Sequence, residues 1–472
     1  MKTARILFVL FLALMMCVAV ACGDDDDDDD NDNDDATPDD DDTGDDDTVI
    51  DDDDDDDDDD TPVPPSFQVG AARVDISPSW SVKLGGYGLV FISEDWCRWS
   101  DGIQDPIYAT ALAFDDGEHE PVILINLDTV GIITTDVVVI QQLIADELGV
   151  GPERVIVVAS HNHASPDTIG IWGVLLPPIT GRDEDFMNLL ISGAYEAGVA
   201  AYENRRPAVA AVAKGQEPRF HFNSQDMVDP LAALDSTMTV LSFTEPGGEP
   251  IATLMNWGCH PMVMPPDNTK ISSDFVGPYY HFMDEEVGGV NMFVNGNLGA
   301  AVHPYYTLED RILEGKADTI MMGRGLADTA QLLLGETVEV TDTELRLKTH
   351  IVLGQLWNPF FVLFGQMDLI PRDIPGFGQY GETTMSAFWL GDIPFATVPG
   401  ELVPNLGFEC KDIMGGDYPI MANIGQDWLG YIMTAKQYLN PLNIYFSILS
   451  VGPNVGDSLL EVYREVYGAP RK

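Results

Sequence analysis

From residue 67 onward, short apolar runs alternate with polar turns, and the period of each run predicts the element it forms. Residues 69–76 read as a strand ended by Pro78. Residues 111–114 and 122–127 read as two more, separated by the turn residues Asp115, Asp116 and Gly117. Over residues 137–148 the period lengthens: Val138, Ile140, Leu143, Ile144 and Leu148 recur at helical spacing, mostly on one side. Residues 155–159, VIVVA, are small or β-branched and predict a buried strand. Residues 189–202 predict a further helix, and 209–213 and 238–243 further strands. This order gives a mixed α/β (α+β) fold of packed β-sheets flanked by helices. The sequence holds no internal repeat and no second Pro/Gly-rich linker after Pro65, so residues 67–472 are expected to form a single large domain.

The first 66 residues have a different character. Lys2 and Arg5 precede an apolar run, residues 6–20, that is short for a membrane span, and Ala19-Val20-Ala21 is a small-residue cleavage signal. Residues 1–21 therefore read as a signal peptide. Cys22 and Gly23 follow in the order of a bacterial lipoprotein signal, which makes Cys22 the lipidation candidate. Plain secretion is the alternative, because Ala19 stands where Leu or Val is more usual. Residues 22–66 read as a disordered linker: 27 Asp fall between residues 24 and 60, a composition that repels itself and buries nothing. The expected location is outside the cytoplasm, as a membrane-anchored lipoprotein or a secreted protein.

Charge narrows the partners. The whole chain carries −56; without the linker Asp, Lys2 and Arg5, 52 acidic and 21 basic residues remain, a net of −31. The body is acidic in its own right, which argues against nucleic acid. Outside the signal, Cys97, Cys259 and Cys410 allow at most one disulfide, and sequence leaves the pair open.

The candidate chemistry begins where the 155–159 run ends, in Ser160-His161-Asn162-His163. In an extended chain, residues two apart point the same way, so His161 and His163 present two imidazoles at the mouth of a buried strand. Such a pair suits zinc, although a lone His-x-His is a weak signal. Later stretches offer further groups. In 253–264, TLMNWGCHPMVM, a second apolar run ends in His260. In 271–277, ISSDFVG, Ser273 precedes a helix expected over 278–286; it is either an N-cap or a nucleophile or oxyanion donor. Residues 293–299 enter a Gly/Asn turn, followed by His303-Pro304. In 395–402, FATVPGEL, Glu401 follows Pro-Gly, as a helix-start acid or a metal-binding carboxylate. Residues 427–438, DWLGYIMTAKQY, offer Trp428 and Tyr431. The very apolar 357–365, WNPFFVLFG, with Phe360, Phe361, Leu363 and Phe364, is core by the simpler reading and the wall of a lipid pocket by the other.

Taken together, these stretches resemble the neutral/alkaline non-lysosomal ceramidase family, in the family's order and at compatible distances. VGAARVDISP and LGGYG resemble its opening strand and glycine turn, and SHNHASPD its first histidine segment. NWGCHP and SSDFVG resemble its second zinc histidine and active-site Ser-Asp, VPGE its zinc glutamate, and GYIMTAKQY its tyrosine segment near the metal. The resemblance spans roughly residues 67–467. It implies a ceramidase-like catalytic domain in which His161, His260 and Glu401 bind zinc. Tyr431 would be the fourth ligand and a catalytic hydroxyl, with Trp428 competing for that slot. It implies Ser273 as the active-site serine and His163 as a group that moves protons or holds substrate.

The implied activity is zinc-dependent hydrolysis of the amide bond in ceramide-like N-acyl lipids, to fatty acid and sphingoid base. Three departures stand out. Ala300 follows Gly299 where the family has Asp. Ser224 follows Asn223 where the family has Arg, although Arg219 is near. The family's immunoglobulin-like C-terminal domain is not expected here. They keep two alternatives open: a related amidase or esterase on another acyl substrate, and a catalytically silent surface-binding lipoprotein.

Overall fold

In the computed structural model, described over residues 67–88, 93–224, 234–302 and 311–468, one four-stranded unit is built three times. The first unit is β1 (Gln68–Asp75), β2 (Tyr108–Asp115), β3 (Val122–Leu127) and β4 (Val155–Ala159). The second is β5 (Val209–Gln216), β6 (Thr237–Thr244), β7 (Pro250–Trp257) and β8 (Val290–Asn295). The third is β9 (Leu345–Gln355), β10 (Tyr380–Leu390), β11 (Ile393–Val398) and β12 (Ile420–Asn423). In each, three strands meander antiparallel and the fourth returns parallel to the third.

A parallel return needs a crossover. Each unit supplies one as a helix: Thr134–Leu148, Val276–Glu286 and Pro404–Met414. A second helix follows each fourth strand, at Glu184–Glu203, Arg311–Leu334 and Val455–Tyr467. The repeat lies in topology and not in residue identity, which is why no repeat is legible in the sequence.

Strand alternation explains how the three sheets pack. In β3, Val122 and Leu124 enter a shared core with Phe114, Val158, Leu254, Val294 and Phe395, drawn from all three sheets. Ile123 and Ile125 point the other way, onto Ile140 and Ile144 of the first crossover helix and Phe186 and Leu190 of the helix after β4. The fourth strands β4, β8 and β12 touch one another pairwise at the centre. Their ends are tied by direct bonds: Ala159 donates its amide to the Ile424 carbonyl, and the Asn256 amide spans from the Val294 carbonyl to the Met421 carbonyl. Loops leaving these strands therefore converge.

The expected mixed α/β body of packed sheets and flanking helices is the one observed. The first helix starts three residues earlier than read, and its buried face runs through Val137, Ile140 and Ile144; Val138 and Leu143 face solvent. Cys97, Cys259 and Cys410 are buried free thiols, so no pair among them is a disulfide. The chain divides into Met1–Thr61 and a body Pro62–Lys472. The signal peptide, Cys22, the acidic linker and His303-Pro304 lie outside the described residues. Among the described residues, no helix is long and apolar enough to cross a membrane.

Candidate metal centre

Beyond β4 the chain leaves extended geometry at once. His161 has φ 67°, in the left-handed region that strains any residue but glycine. The turn, and not the strand pleat, brings His161 and His163 together, with their Nε2 atoms 3.2 Å apart. Asn162 fixes this turn: its side chain accepts from the Ala164 amide and donates to the carbonyls of Asp128 and Ser272. The His163 amide donates to the Pro261 carbonyl, locking the first histidine loop to the second. Asn295, at the end of β8, donates to the carbonyls of Ser160 and Cys259 and accepts from the Cys259 amide. Asn295 thus clamps both histidine loops.

The glycine turn closes over His163. Gly86 has φ 99°, and a Cβ there would lie 2.5 Å from His163 Cγ, so only glycine fits. Next to it, the Tyr87 ring meets the His163 imidazole edge-on at 5.1 Å, and Arg98 donates to the carbonyls of Gly85 and His163.

His260 follows β7, and Glu401 follows β11. Glu401 is not at a helix start; Glu401–Leu402 forms a short parallel ladder with Tyr431–Ile432, which sets Glu401 and Tyr431 side by side. Glu401 Oε2 lies 3.2 Å from His260 Nε2 and 3.4 Å from His161 Nε2, and the Tyr431 hydroxyl is 3.4 Å from His260 Nε2. All five side chains are buried. The ring nitrogens of His161, His163 and His260 fall within 4.8 Å of one another.

This donor set fits zinc. Four ligands about 2.0–2.1 Å from a tetrahedral ion stand roughly 3.3 Å apart, close to the 3.2–3.4 Å from Glu401 to His260 and His161 and from Tyr431 to His260. His161 donates from Nδ1 to the Val130 carbonyl at 2.6 Å, which fixes its tautomer and leaves the Nε2 lone pair facing the cluster. Trp428 donates its indole N–H to Glu401 Oε1 at 3.1 Å. An indole has no acceptor and cannot ligate, so Trp428 orients the carboxylate while Tyr431 takes the place at the cluster. Burial pushes the Glu401 carboxyl up, yet His161 and His260 together hold it well below the usual range. Burial foremost, then His161 and His260, press the His163 imidazole well below its ordinary value, so the ring is neutral.

Ser273 is fully buried, and its hydroxyl has no hydrogen-bond partner among the described residues. It does not cap the following helix: Phe275 is the N-cap and makes no side-chain bond. Ser272 carries the structural role instead, donating to Asp105 and accepting from the Asp274 amide. Asp274, at φ 55°, accepts from the amides of Met264 and Phe275, and burial pushes its carboxyl up to about 6. A Cβ at Gly277 would meet the Ser273 hydroxyl at 2.1 Å, so glycine leaves the room in which that hydroxyl sits.

A recess of roughly 520 Å3, its open mouth included, is lined by Trp428, Leu356, Phe361, Ile370, Ile374 and Leu429. The apolar stretch 357–365 divides between the two readings. Phe361 and Phe364 are both buried in the core, and Phe361 also stacks on Trp428 and lines the recess. Arg219 is engaged by Glu217, the Gly325 carbonyl and Thr329. Asn295, Arg98 and the carbonyl of Val130 carry no motif and were beyond sequence reasoning. Only the Asn-rich turn at 295–297 hinted at the first of them.

Comparison with known proteins bears on the same elements. The family model described as neutral/alkaline non-lysosomal ceramidase, N-terminal, matches residues 67–303. Neutral ceramidase A of Dictyostelium discoideum is 22% identical over 405 residues, covering 80% of this chain and 54% of that protein. The chain spans about half the length of this curated relative. The crystal structure of neutral ceramidase from Pseudomonas aeruginosa aligns with a TM-score of 0.70 at 17% identity, over 86% of this chain and 74% of the other. A ceramidase complexed with C2 aligns with the same score and identity over 75% of its chain. At this identity the likeness is one of fold.

Proposed function

Because the chain belongs to the neutral/alkaline non-lysosomal ceramidase family, we propose that it is a zinc-dependent hydrolase that cleaves the amide bond of ceramide-like N-acyl lipids to fatty acid and sphingoid base. One observation supports this above the others. His161, His260, Glu401 and Tyr431, from loops of all three units, form a buried cluster with contacts of 3.2–3.4 Å. These four would hold the zinc. When bound, zinc supplies Lewis acidity toward an amide carbonyl and acidifies water toward a pKa of about 7.

The remaining steps belong to the protein. His163, neutral and with Nε2 3.2 Å from His161 Nε2, takes the proton given up by the attacking water and passes it to the leaving amine nitrogen. The unpartnered Ser273 hydroxyl is free to donate to a developing oxyanion. Trp428 aligns Glu401 by its indole hydrogen bond, and with Phe361 it gives the substrate's hydrocarbon chain an apolar wall. Export and anchoring through Cys22 complete the reading and place the domain beside membrane lipid.

The test is metal content together with turnover. The purified full chain should carry about one zinc, lost in H161A/H260A, and should release fatty acid from an N-acyl sphingoid amide. A folded chain that binds no zinc when it is supplied overturns the mechanism and leaves a binding role. A second reading, an amidase for another N-acyl substrate, is favoured by Ser224 after Asn223, with Arg219 held by Glu217. Profiling head-group analogues separates the two.

A further inference from the structure

We propose that an exposed apolar rim beside the metal centre docks the protein on a zwitterionic lipid bilayer. The rim is built on residues 435–448, next to Tyr431. Leu439 and Leu442 are each 71% exposed, and Ile444 and Tyr445 stand 46% and 55% exposed. They are held outward and not merely loose. Buried Asn443 donates to the Gln437 carbonyl, Ser447 donates to the Tyr438 carbonyl, and buried Phe446 packs edge-on against Tyr431 at 4.7 Å. Tyr438 donates to the Trp357 carbonyl, which carries the rim on to Trp357 and Phe377, half-exposed rings 5.4 Å apart. Leu356 of the recess immediately precedes Trp357, and Phe361 follows four residues on, so the rim and the recess share this segment.

Charge identifies the occupant. From Trp428 to Gly456 there is no Asp or Glu and a single basic residue, Lys436, in a chain of net charge −56. Two copies of such a chain repel, and so does an anionic membrane; an uncharged lipid surface does not. The side-chain chemistry agrees. Aliphatic tips that stand out beside Trp and Tyr match the graded polarity of a bilayer interface. The rim needs no hydrolysis to act, so it stands apart from the proposed activity.

The experiment uses the full chain carrying Cys22→Ser, which removes any attached lipid, with and without Leu439→Ser plus Leu442→Ser. Flotation with pure phosphatidylcholine vesicles, free of any amide lipid, reads binding. The Cys22→Ser chain should float. The triple variant should partition roughly tenfold or more weakly, from the loss of two inserted leucines, with an unchanged melting temperature because both sites face solvent. Equal flotation of the two chains, or flotation of neither, overturns the proposal. So does a fall in sedimenting mass in the leucine variant with no change in vesicle binding, which would assign the rim to a second copy. None of these failures touches the zinc site.

Discussion

Replacing Trp428 with Phe isolates one hydrogen bond at the metal centre. Phe keeps a ring against Phe361, now at 5.9 Å and 27° from Trp428, but removes the indole N–H that lies 3.1 Å from Glu401 Oε1. That donor meets a buried carboxylate, and hydrogen bonds to charged groups are worth about 1.5–3 kcal/mol. Loss of a group that orients a metal ligand typically weakens metal binding about 10- to 100-fold, ~1.4–2.7 kcal/mol, which is the same range. The assay is equilibrium competition for zinc between the full chain and a chromogenic chelator, with Glu401→Gln as the reference for loss of the ligand itself. W428F should fall between wild type and Glu401→Gln, and its metal-free form should melt only slightly lower. Zinc affinity within about twofold of wild type in a folded W428F would refute the idea that the indole positions the carboxylate. Affinity as poor as that of Glu401→Gln would refute it from the other side, by making Trp428 indispensable to the site and not a support for it.

Three further outcomes follow from the same geometry. Ser273→Ala should lower turnover of an N-acyl amide at least ~100-fold while leaving zinc content intact. It should not lower the melting temperature, because the deleted hydroxyl is buried without a partner; marked destabilisation would show that Ser273 is structural. Asn295→Ala strips partners from two carbonyls and one amide. It should cost roughly 3 kcal/mol at about 1 kcal/mol per bond and release zinc, read by denaturant unfolding and metal analysis. His221, stacked on Trp257 at 4.4 Å, is lowered to about 4 by burial. It is neutral when folded and takes a proton on unfolding, so its contribution is complete above ~6.5 and is lost as pH falls towards ~4, by about 3 kcal/mol. His221→Phe should flatten that limb of the pH–stability curve, and an unaltered slope would dismiss His221 as its source.

What the sequence made legible divides along a physical line. Runs such as VIVVA and 122–127 were readable because full burial on both faces demands apolar β-branched residues whatever the partner strand. The first helix was found, and Ile140 and Ile144 of its expected apolar side do turn inward, but Val138 and Leu143 face solvent and Val137 is buried in their stead. Val138 and Leu143 are as apolar as Val137 and Ile140, and only the sheet beneath decides which pair turns in. The threefold unit left no trace, because antiparallel–antiparallel–parallel pairing constrains polarity and length and not residue identity. His161, His260 and Glu401 stood out as candidate ligands because coordination admits few residue types, and the fold brings them together. Their supports did not, since a Val130 carbonyl or an Asn295 amide is chemically ordinary until the fold brings it within 3 Å.

The choice between Tyr431 and Trp428 shows why pairing register decides what composition cannot. Both lie in the same segment, three residues apart, and either aromatic looks suited to a metal site from sequence alone. The ladder Glu401–Tyr431 and Leu402–Ile432 puts Tyr431 directly across from the carboxylate, with its hydroxyl at the histidines. Trp428 sits before the Gly430 turn (φ 70°) and reaches the same carboxylate from its other oxygen. Asp427 holds that approach: buried, it accepts from the Trp428 amide, Thr383 and Arg372. One oxygen of Glu401 therefore faces the cation site and the other faces the wall of the apolar recess. The residue that hydrogen-bonds the Glu401 carboxylate is thus also a wall of the recess, so a single indole joins the cluster to that recess.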